Sequence, residues 1–418
     1  MDRVVAFIEL RLIAAAALFA LSATALDNGL ARTPQMGWNN WNALACNVSE
    51  DLLLQTAKLI VNYGLKDLGY QYVVLDDCWS AGRNASNNNS LLADLKKFPR
   101  GMAAVADDMH ALGLKYGMYS DAGSKSCARY RAMSEALNAT GRPILYSICN
   151  WGEDQPWDWA ASMANSWRIS GDIWDSFDGD NGTCPCDGPS AWNCTNTGIN
   201  CSVTNIMNKA SFITAKGQPG GWNDLDMLEV GNGNMTDSEY VAHFSIWSVI
   251  KSALLMGNDI RKIAPADLAI LSNPAVIAVN QDPLGSSASR RWMRDNIQMC
   301  CPPRQRQQRF SVMNATLADI LADYTPNAPE LKLAWEVRDL WANRMSNDMA
   351  SAIIAGNNST EGRYNSTETS YADGLAQGNP LLVGNVTTTV QPSGTITATV
   401  GRHGAAMFRL RALTTTTC

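Results

Sequence analysis

Short β-rich runs alternate with helical patterns along residues 35–283, and this alternation constrains the fold more than any other sequence feature. The run at residues 70–77 (YQYVVLDD) is almost continuously apolar, as expected for a strand buried on both faces of a parallel sheet. Between such runs, apolar residues recur at helical spacing, as at Leu53, Ala57 and Ile60. Strands that alternate with helices in this way predict parallel βαβ units.

We predict seven strands, at residues 36–42, 70–77, 114–121, 143–150, 166–173, 221–228 and 252–260. Further helices are predicted from Val105 and Met109, from Tyr130, Met133 and Leu137, and after Pro265. The alternation and strand count point to a (β/α)₈ barrel over residues 26–286. An open doubly wound sheet is the alternative, although no complete glycine-rich phosphate loop supports it.

After Gly285 the pattern changes, and residues 376–413 are rich in Thr and Val with turn residues between them. Such a segment predicts antiparallel strands joined by tight turns. The 418 residues are enough for two domains at roughly 100–200 residues each. We therefore predict a second, all-β domain over residues 287–418.

The first 25 residues predict a secretory signal peptide rather than part of the fold. Arg3 and Arg11 precede the apolar run at 12–21, and residues 23–25 form a small-x-small cleavage motif. The apolar run is shorter than the about 20 residues that a membrane span needs. We expect a secreted protein without a membrane anchor.

Cysteines and sequons agree with an oxidising compartment. Cys184, Cys186, Cys194 and Cys201 lie in a stretch rich in Gly, Pro and Asn, which predicts a disulfide-stapled loop. A zinc site is the alternative, but the spacing does not match paired CxxC knuckles. Asn-x-Ser/Thr sequons begin at Asn47, Asn84, Asn88, Asn138, Asn181, Asn193, Asn200, Asn234, Asn314, Asn358, Asn365 and Asn385.

Charge and histidine content exclude other classes of function. The formal net charge of −6 argues against nucleic-acid binding, which needs a basic surface. Three histidines in the whole chain argue against a multi-histidine metal centre, and we expect no metal and no cofactor. The chain has no GxSxG motif, and a Ser-His-Asp triad could draw only on His110 and His243 within the barrel.

Carboxylates and aromatic residues follow nearly every predicted strand, at the barrel end where active sites lie. They are Trp38, Trp41, Asp76, Asp77, Tyr119, Asp121, Cys149, Trp151, Arg168, Asp172, Asp224, Asp226 and Asp259. Hydrolysis of a glycosidic bond needs two carboxyl groups, and aromatic faces stack on sugar rings. The set predicts a sugar site, although Trp38 could belong to the core and a strand-end aspartate can cap a helix.

A group of motifs covers nearly the whole chain after residue 30. They are LARTPQMGWNNWN (30–42), DDCW (76–79), FP and GM (98–99 and 101–102), YSDAG (119–123), CNWGED (149–154), SWRISGD (166–172), WNDLDMLEVGNG (222–233), VNQDPLG (279–285) and AWEVRDLWANR (334–344). They resemble glycoside hydrolase family 27, the α-galactosidases, and the last is similar to fungal members. The resemblance implies a (β/α)₈ barrel followed by an antiparallel β-sandwich. It also implies a retaining enzyme that removes terminal α-galactosyl residues from oligosaccharides, galactomannans or galactolipids.

The resemblance also implies roles for single residues. Asp172 matches the general acid/base of the family, and Asp76 and Asp77 match the pair that binds the galactose 4- and 6-hydroxyls. Trp41 matches an aromatic wall. Further sugar contacts are implied for Tyr119, Arg168 and Asp226.

Two pairs of residues carry further implications of the resemblance. Cys149 and Trp151 match the side of the site that meets the 2-hydroxyl. Bulky residues there favour galactose over N-acetylgalactosamine, so an α-N-acetylgalactosaminidase is the disfavoured rival. Cys46 and Cys78 match a family disulfide.

One family motif is absent. The nucleophile of the family is an aspartate in a Lys-Tyr-Asp-Asn-Cys type motif that ends the fourth strand. Here residues 119–128 run directly into 129–141, which in the family precede the fifth strand. Seven predicted strands instead of eight agree that one βα unit is missing, together with the nucleophile, a substrate-contacting lysine and the family partner of Cys127.

The basic, Gln-rich segment 295–310 is a second break in the pattern, at the start of the predicted β-sandwich. The two breaks together favour skipped or misread exons, a hypothesis that sequencing the transcript tests. Because a retaining glycosidase needs its nucleophile, we predict no hydrolysis by the chain as written. We also predict that its folding is impaired. A galactose-binding protein without catalysis is the alternative class.

Overall fold

The computed structural model describes residues 26, 28–120, 126–179, 184, 200–290, 293–294, 297–298, 310–321, 329–357 and 360–413. The predicted signal peptide, Asp121, Cys186, Cys194 and most of the 295–310 break lie outside these residues. In the described ranges no helix has the length and apolar character that a membrane crossing requires. The same ranges contain no group of three or more His, Cys, Asp or Glu side chains placed to hold a metal ion.

In the described residues, seven parallel strands build the barrel. They are β1 (Met36–Asn39), β2 (Tyr72–Leu75), β3 (Lys115–Met118), β4 (Ser147–Ile148), β5 (Ser166–Arg168), β6 (Trp222–Asp224) and β7 (Leu254–Met256). The seven predicted strands are confirmed, and each is shorter than predicted. The strands are hydrogen-bonded in the orders β3-β2-β1-β7 and β4-β5-β6. A parallel bridge between Leu228, beyond β6, and Met256 of β7 joins the two groups.

The ring of strands is open between β3 and β4, and we call this opening the seam. Among the described residues, β3 pairs only with β2 and β4 only with β5. The backbone N–H groups of Lys115 and Tyr119 donate to carbonyls of β2 and its flank, so those of Tyr116 and Met118 face the seam. The Met118 side chain is 41% exposed, whereas β1 is buried throughout. An eighth strand of a closed barrel would lie in the seam.

Helices cover the outside of the strands and continue into the C-terminal region. They are α1 (Trp41–Leu44), α2 (Glu50–Asn62), α3 (Gly101–Ala111), α4 (Ser126–Ala139), α5 (Val203–Ala210), α6 (Asp237–Ile250), α7 (Pro265–Leu271), α8 (Pro274–Asn280), α9 (Leu317–Leu321), α10 (Asn347–Ile354), α11 (Tyr371–Ala376) and α12 (Pro380–Val383). Short 3₁₀ turns lie at Pro156–Asp158, Ala160–Ser162, Thr214–Lys216, Ile260–Lys262 and Pro329–Lys332. The predicted apolar face of α2 is confirmed, since Leu53, Ala57 and Ile60 are buried.

The predicted face of α4 is only partly correct. Tyr130 is buried, but Met133 is 47% exposed. The core-facing position next to Tyr130 belongs to Ser134, whose hydroxyl donates to the Met163 carbonyl at 2.7 Å. A hydrogen-bonded serine carries no hydrophobic signal, so an apolar pattern assigns the wrong neighbour to the core.

The C-terminal region contains antiparallel sheets, as predicted. Strand β8 (Phe310–Thr316) pairs with β11 (Thr395–Gly401), and β9 (Ala334–Asp339) lies between β10 (Asn385–Val390) and β12 (Phe408–Leu413). The two sheets share a small apolar core made by Leu317, Val337, Val390 and Ile396. Two hairpins lie outside these sheets, Ser80–Asn84 with Ser90–Ala93 and Met293–Arg294 with Ile297–Gln298.

The expectation that this region is all-β is wrong, because α9 to α12 lie between its strands. Three of these helices start at polar caps, for example Ser370, whose hydroxyl accepts the Asp373 N–H. The region also contacts the barrel, since the Tyr371 hydroxyl donates to the Leu68 carbonyl at 2.9 Å. The domain limits 26–286 and 287–418 stay a prediction.

Two disulfides lie in the described residues. Cys46 is bonded to Cys78, which confirms the predicted pair, and Cys184 is bonded to Cys201 within the predicted cysteine cluster. Cys127 forms no disulfide with a described cysteine. The Cys46–Cys78 bridge links the loop after β1 to the loop after β2.

Replacing both Cys46 and Cys78 by serine is expected to lower the free energy of unfolding by roughly 3–4 kcal/mol. The bridge closes a loop over a sequence separation of 32 residues, and breaking it raises the conformational entropy of the unfolded chain. Urea denaturation measures the change, with the Cys127→Ser variant as the control that removes an unbridged thiol. A loss below about 1 kcal/mol in the double variant would contradict this account.

Candidate active site

The loops after β1 and β2 hold Asp76 in a fixed position. The Asn39 amide donates to the Asp76 carboxylate at 2.6 Å, and the Asp76 N–H donates to the Asn40 side-chain oxygen at 2.8 Å. Burial raises the pKa of Asp76, while the hydrogen bonds that its carboxylate accepts from the Asn39 amide and the Asp77 N–H lower it. The neighbouring Asp77 is exposed. Sequence reasoning missed the two asparagines, although the motif GWNNWN displays both.

Trp41 begins helix α1 at the edge of the same loop. Its N–H donates to the Asn39 side-chain oxygen at 2.8 Å, and its side chain is half-buried. One asparagine therefore contacts both Trp41 and Asp76, so their relative placement is set by a single side chain.

The buried guanidinium of Arg168 connects the loops after β4, β5 and β6. Its Nη2 lies 2.8 Å from Asp172 Oδ1 and 2.7 Å from Asp226 Oδ2. Its Nη1 lies 3.8 Å from the Cys149 sulfur. The side chain of Asp172 is 38% exposed, whereas that of Asp226 is 3% exposed, so Asp172 is the member of the pair that faces the barrel mouth.

One cation between two carboxylates leaves a net negative charge in a buried place. Burial raises the pKa of Asp226, the attraction of Arg168 opposes this rise and the charge of Asp172 adds to it, which leaves the pKa at about 7. Asp226 therefore titrates close to neutral pH. A proton stored beside a partly exposed carboxyl is what a general acid requires.

Backbone groups orient Asp226 toward Arg168. The Ile173 N–H donates to Asp226 Oδ2, and the Met227 N–H donates to Asp226 Oδ1, each at 2.8 Å. The Asp224 carboxylate accepts the Asp226 N–H at 2.9 Å, where Asp226 has a φ of +77°. Asp224 thus positions its neighbour rather than facing the mouth.

Tyr119, after β3, and Cys149, after β4, border the two sides of the seam. Their side chains are hydrogen-bonded, and burial raises the pKa of the Cys149 thiol to about 12, so the thiol stays protonated. The Trp79 indole donates to the Tyr119 carbonyl at 2.8 Å. Trp151, at a φ of +51°, is 37% exposed and borders the mouth from the loop after β4.

Three strand-end residues do not join this group. Trp38 is fully buried and its indole donates to the Asn258 carbonyl at 2.7 Å, so Trp38 belongs to the core, which was the alternative to a sugar contact. The Asp259 carboxylate accepts both Nε and Nη2 of Arg261, at 2.7 and 2.8 Å, and caps a 3₁₀ turn. Asp121 lies outside the described residues.

A buried Glu229–His243 contact behind the mouth was missed from the sequence. His243 Nε2 accepts the Glu229 N–H at 3.0 Å, and burial lowers the pKa of His243 to about 3. The Glu229 carboxylate accepts the side-chain amides of Asn42 and Asn232, and burial raises its pKa to about 8. Glu229 links the loop after β1 to the loop after β6.

Folding stability is expected to fall by roughly 1.4 kcal/mol per pH unit as the pH drops from 6.5 toward 3. The unfolded chain protonates His243 near pH 6.5, whereas the buried ring stays neutral down to about pH 3, so acid favours unfolding. The His243→Gln variant, whose amide oxygen can accept the Glu229 N–H, should lose this part of the slope.

Urea denaturation at pH 7 and pH 4.5 measures the slope. The matched control is His110→Gln, because His110 is exposed at the end of α3. An equal slope in the wild type and in His243→Gln would contradict the assignment.

Comparison with known proteins decides the family. The family model described as alpha galactosidase A matches residues 33–132 and 128–282. The chain belongs to glycoside hydrolase family 27, the alpha-galactosidases. The predicted resemblance is therefore confirmed.

Curated family 27 relatives match this chain over most of its length. An alpha-galactosidase from Zygotorulaspora mrakii is 45% identical over 456 residues, which covers 94% of this chain and 96% of the relative. That span exceeds the 418 residues of this chain, so the alignment leaves gaps in it. The match to the family model is likewise split at residues 128–132, within the helix that follows the seam.

Solved family 27 structures share the fold. An alpha-galactosidase from Saccharomyces cerevisiae has a TM-score of 0.86 at 40% identity and covers 93% of this chain and 100% of its own. A second structure of the yeast protein, solved with raffinose, has the same TM-score and identity and covers 92% of this chain and 99% of its own. These matches confirm the barrel with its C-terminal domain and make the chain a glycoside hydrolase by family.

Proposed function

We propose that this family 27 member binds terminal α-galactosyl groups at the barrel mouth but, as written, does not hydrolyse them. The observation that carries the proposal is the seam. It lies between Tyr119 and Cys149, where the fourth strand of an eight-stranded barrel would end and where the family supplies its nucleophile. The break in the family match at residues 128–132 supports the same position.

The sugar contacts of the proposed site lie on loops fixed by buried hydrogen bonds. Asp76 and Asp77 are assigned to the 4- and 6-hydroxyls, since carboxylates accept hydrogen bonds from sugar hydroxyls. Asp76 is already held by Asn39 and Asn40, so little order has to be gained on binding. Trp41 is assigned to the aromatic wall, and the remaining contacts are assigned to Tyr119, Arg168 and Asp226.

The general acid of the proposal is Asp172. Its carboxyl is partly exposed and shares Arg168 with Asp226, whose pKa lies at about 7, so a proton is held on the neighbouring carboxyl near neutral pH. The side of Cys149 and Trp151 is assigned to the galactose 2-hydroxyl. Their bulk favours galactose over N-acetylgalactosamine, which disfavours an α-N-acetylgalactosaminidase.

Retention needs a second carboxylate about 5 Å from the first, on the other side of the anomeric carbon. Within the described part of the mouth, Asp76 is bound to Asn39, Asp224 to the Asp226 backbone and Asp226 to the same guanidinium as Asp172. None of these is placed as a free nucleophile. Without it the covalent glycosyl-enzyme does not form, and activity should fall by many powers of ten.

Calorimetry with methyl α-galactoside and nitrophenol release from p-nitrophenyl α-galactoside test the proposal on the same protein. Binding is expected without turnover, and Asp76→Asn should weaken binding at least about tenfold through a lost charged acceptor. Asp158→Asn, at an exposed ion pair with Lys216, is the matched control. Nitrophenol release above that of Asp172→Asn would overturn the loss of turnover, and absence of binding would overturn the sugar site.

We also propose that the chain is secreted after removal of residues 1–25. The Cys46–Cys78 and Cys184–Cys201 disulfides support this, because such bonds persist in oxidising compartments. N-terminal sequencing of protein from the culture medium of a fungal host should give a first residue close to Leu26. Retention of the whole chain inside the cell would overturn the proposal.

A further inference from the structure

The loop after β4, residues 149–155, has a backbone conformation that side-chain-bearing residues rarely adopt. Trp151, Asp154 and Gln155 have φ values of +51°, +56° and +52°, and Gly152 has a φ of +82°. Non-glycine residues with positive φ cost free energy and persist only where the surrounding structure holds them. Because Trp151 borders the mouth from this loop, the contacts that hold the loop also decide the shape of the proposed sugar site.

Gly152, in the middle of the loop, is enclosed between two other elements. Its N–H donates to the Arg168 carbonyl of β5 at 3.1 Å. A Cβ placed on Gly152 would overlap the carbonyl oxygen of Ile169 and would lie 2.8 Å from Lys209 Nζ. The loop therefore packs between the end of β5 on one side and the ammonium group of Lys209, on α5, on the other.

The ammonium group of Lys209 is buried without an anionic partner. Lys209 is 2% exposed, and its Nζ forms no hydrogen bond or ion pair with the described residues. It lies 5.8 Å from the ring centroid of Trp157, on the 3₁₀ turn that follows the loop. Burial lowers the pKa of Lys209 to about 8. An unpaired buried cation costs folding free energy, so packing alone does not explain a lysine at this position.

We propose that Lys209 is a positioning residue, which holds the loop after β4, and with it Trp151, in the conformation that accepts galactose. The proposal rests on the proposed galactoside binding, in which this loop meets the 2-hydroxyl. The ammonium group contacts the loop at Gly152 and the following turn through the face of Trp157. The strained stretch is thus held in its middle and directly after its end.

Lys251 offers a matched control elsewhere in the barrel. It is also 2% exposed, and burial lowers its pKa to about 8 as well. Its Nζ, however, donates to the backbone carbonyls of Asn280 and Asp282, each at 3.2 Å. Lys251 lies between α6 and β7, at the barrel end opposite the mouth. The two lysines are alike in burial and differ in having acceptors and in their distance from the proposed site.

Calorimetry with methyl α-galactoside and urea denaturation test the proposal on the Lys209→Met variant. Its affinity should fall about tenfold or more, while its free energy of unfolding should stay the same or rise, because an unpaired buried cation is removed. Lys209→Arg keeps the cation and should retain most of the affinity. Lys251→Met should behave in the opposite way, with lower stability and unchanged affinity.

Hydrogen–deuterium exchange tests the same contact without any sugar. Peptides that span residues 149–158 should exchange at least about tenfold faster in Lys209→Met than in the wild type, with the rest of the barrel unchanged. Equal exchange in the two proteins would overturn the proposal. Faster exchange throughout the barrel, together with lower stability, would show a merely structural lysine and would overturn it as well.

The outcomes separate this proposal from the proposed function. If the wild type and Lys209→Met bind methyl α-galactoside equally, or Lys209→Arg loses as much affinity as Lys209→Met, the role of the cation is wrong and the galactose site stands. If the wild type does not bind methyl α-galactoside, the proposed function fails. Hydrogen exchange then decides by itself whether Lys209 holds the loop.

Discussion

Insertion of a fourth strand into the seam should raise hydrolysis of p-nitrophenyl α-galactoside by about 10⁴-fold or more. The inserted segment is the stretch of the Zygotorulaspora mrakii relative that aligns between the residues matching Tyr119 and Tyr130. It would supply a carboxylate at the carboxyl end of the new strand, on the open side of the mouth. The proposed general acid, Asp172, is already present, so one segment would complete the pair of carboxyl groups that the reaction needs.

The same insertion should raise the midpoint of thermal unfolding. The seam leaves Met118 of β3 exposed, and the backbone N–H groups of β3 that face the seam have no strand partner among the described residues. A paired strand satisfies these groups and buries apolar surface, at roughly 25 cal/mol per Å².

Two controls make the insertion test specific. An insertion of the same length made of Gly and Ser should restore neither activity nor stability. Asp172→Asn within the restored chain should abolish the regained hydrolysis. If the restored chain binds methyl α-galactoside and is folded, yet releases no nitrophenol, the missing segment is not the cause of inactivity. Activity of the unmodified chain at a comparable rate would contradict the account as well.

Arg168→Met should lower the free energy of unfolding by about 3–5 kcal/mol and weaken methyl α-galactoside binding at least about 100-fold. The guanidinium is the shared partner of Asp172 and Asp226, and its loss leaves a buried carboxyl without a cation. The pKa of Asp226, already raised by burial to about 7, would rise further. Without the guanidinium, no shared cation holds Asp172 next to Asp226.

Urea denaturation and calorimetry measure the two effects of this change. Lys216→Met is the matched control, since Lys216 and Asp158 form an ion pair that is about half exposed and should contribute under about 1 kcal/mol. Adding Asp226→Asn to Arg168→Met should recover part of the stability, because it removes the buried carboxyl that the first substitution leaves without a cation. A single-variant loss below about 1 kcal/mol, or a double variant less stable than the single, would contradict this role.

The strand pattern and the sequence motifs predicted most of the fold. Continuous apolar runs such as residues 70–77 predicted the parallel strands, because a strand buried on both faces has no polar positions. Strand ends were less well predicted, and so was the buried face of α4, where Ser134 packs through a hydrogen bond. Helices α9 to α12 were missed because the prediction for that region rested on the Thr- and Val-rich segment 376–413, in which only α12 lies completely.

The sequence by itself determined the family, the order of the seven parallel strands and the kinds of side chain at the barrel mouth. These depend on local periodicity and on residue type, both of which are properties of the sequence itself. It also predicted where an eighth strand would be missing, through the count of strands and the motif that does not occur.

Only the tertiary structure decided which of these side chains act together. Arg168 serves both Asp172 and Asp226, and Asn39 contacts both Asp76 and Trp41. Trp38 and Asp259, which look equivalent in the sequence, serve the core and a cap instead. Burial and contacts between residues far apart in the chain determine these roles, and neither quantity is a property of a residue and its sequence neighbours.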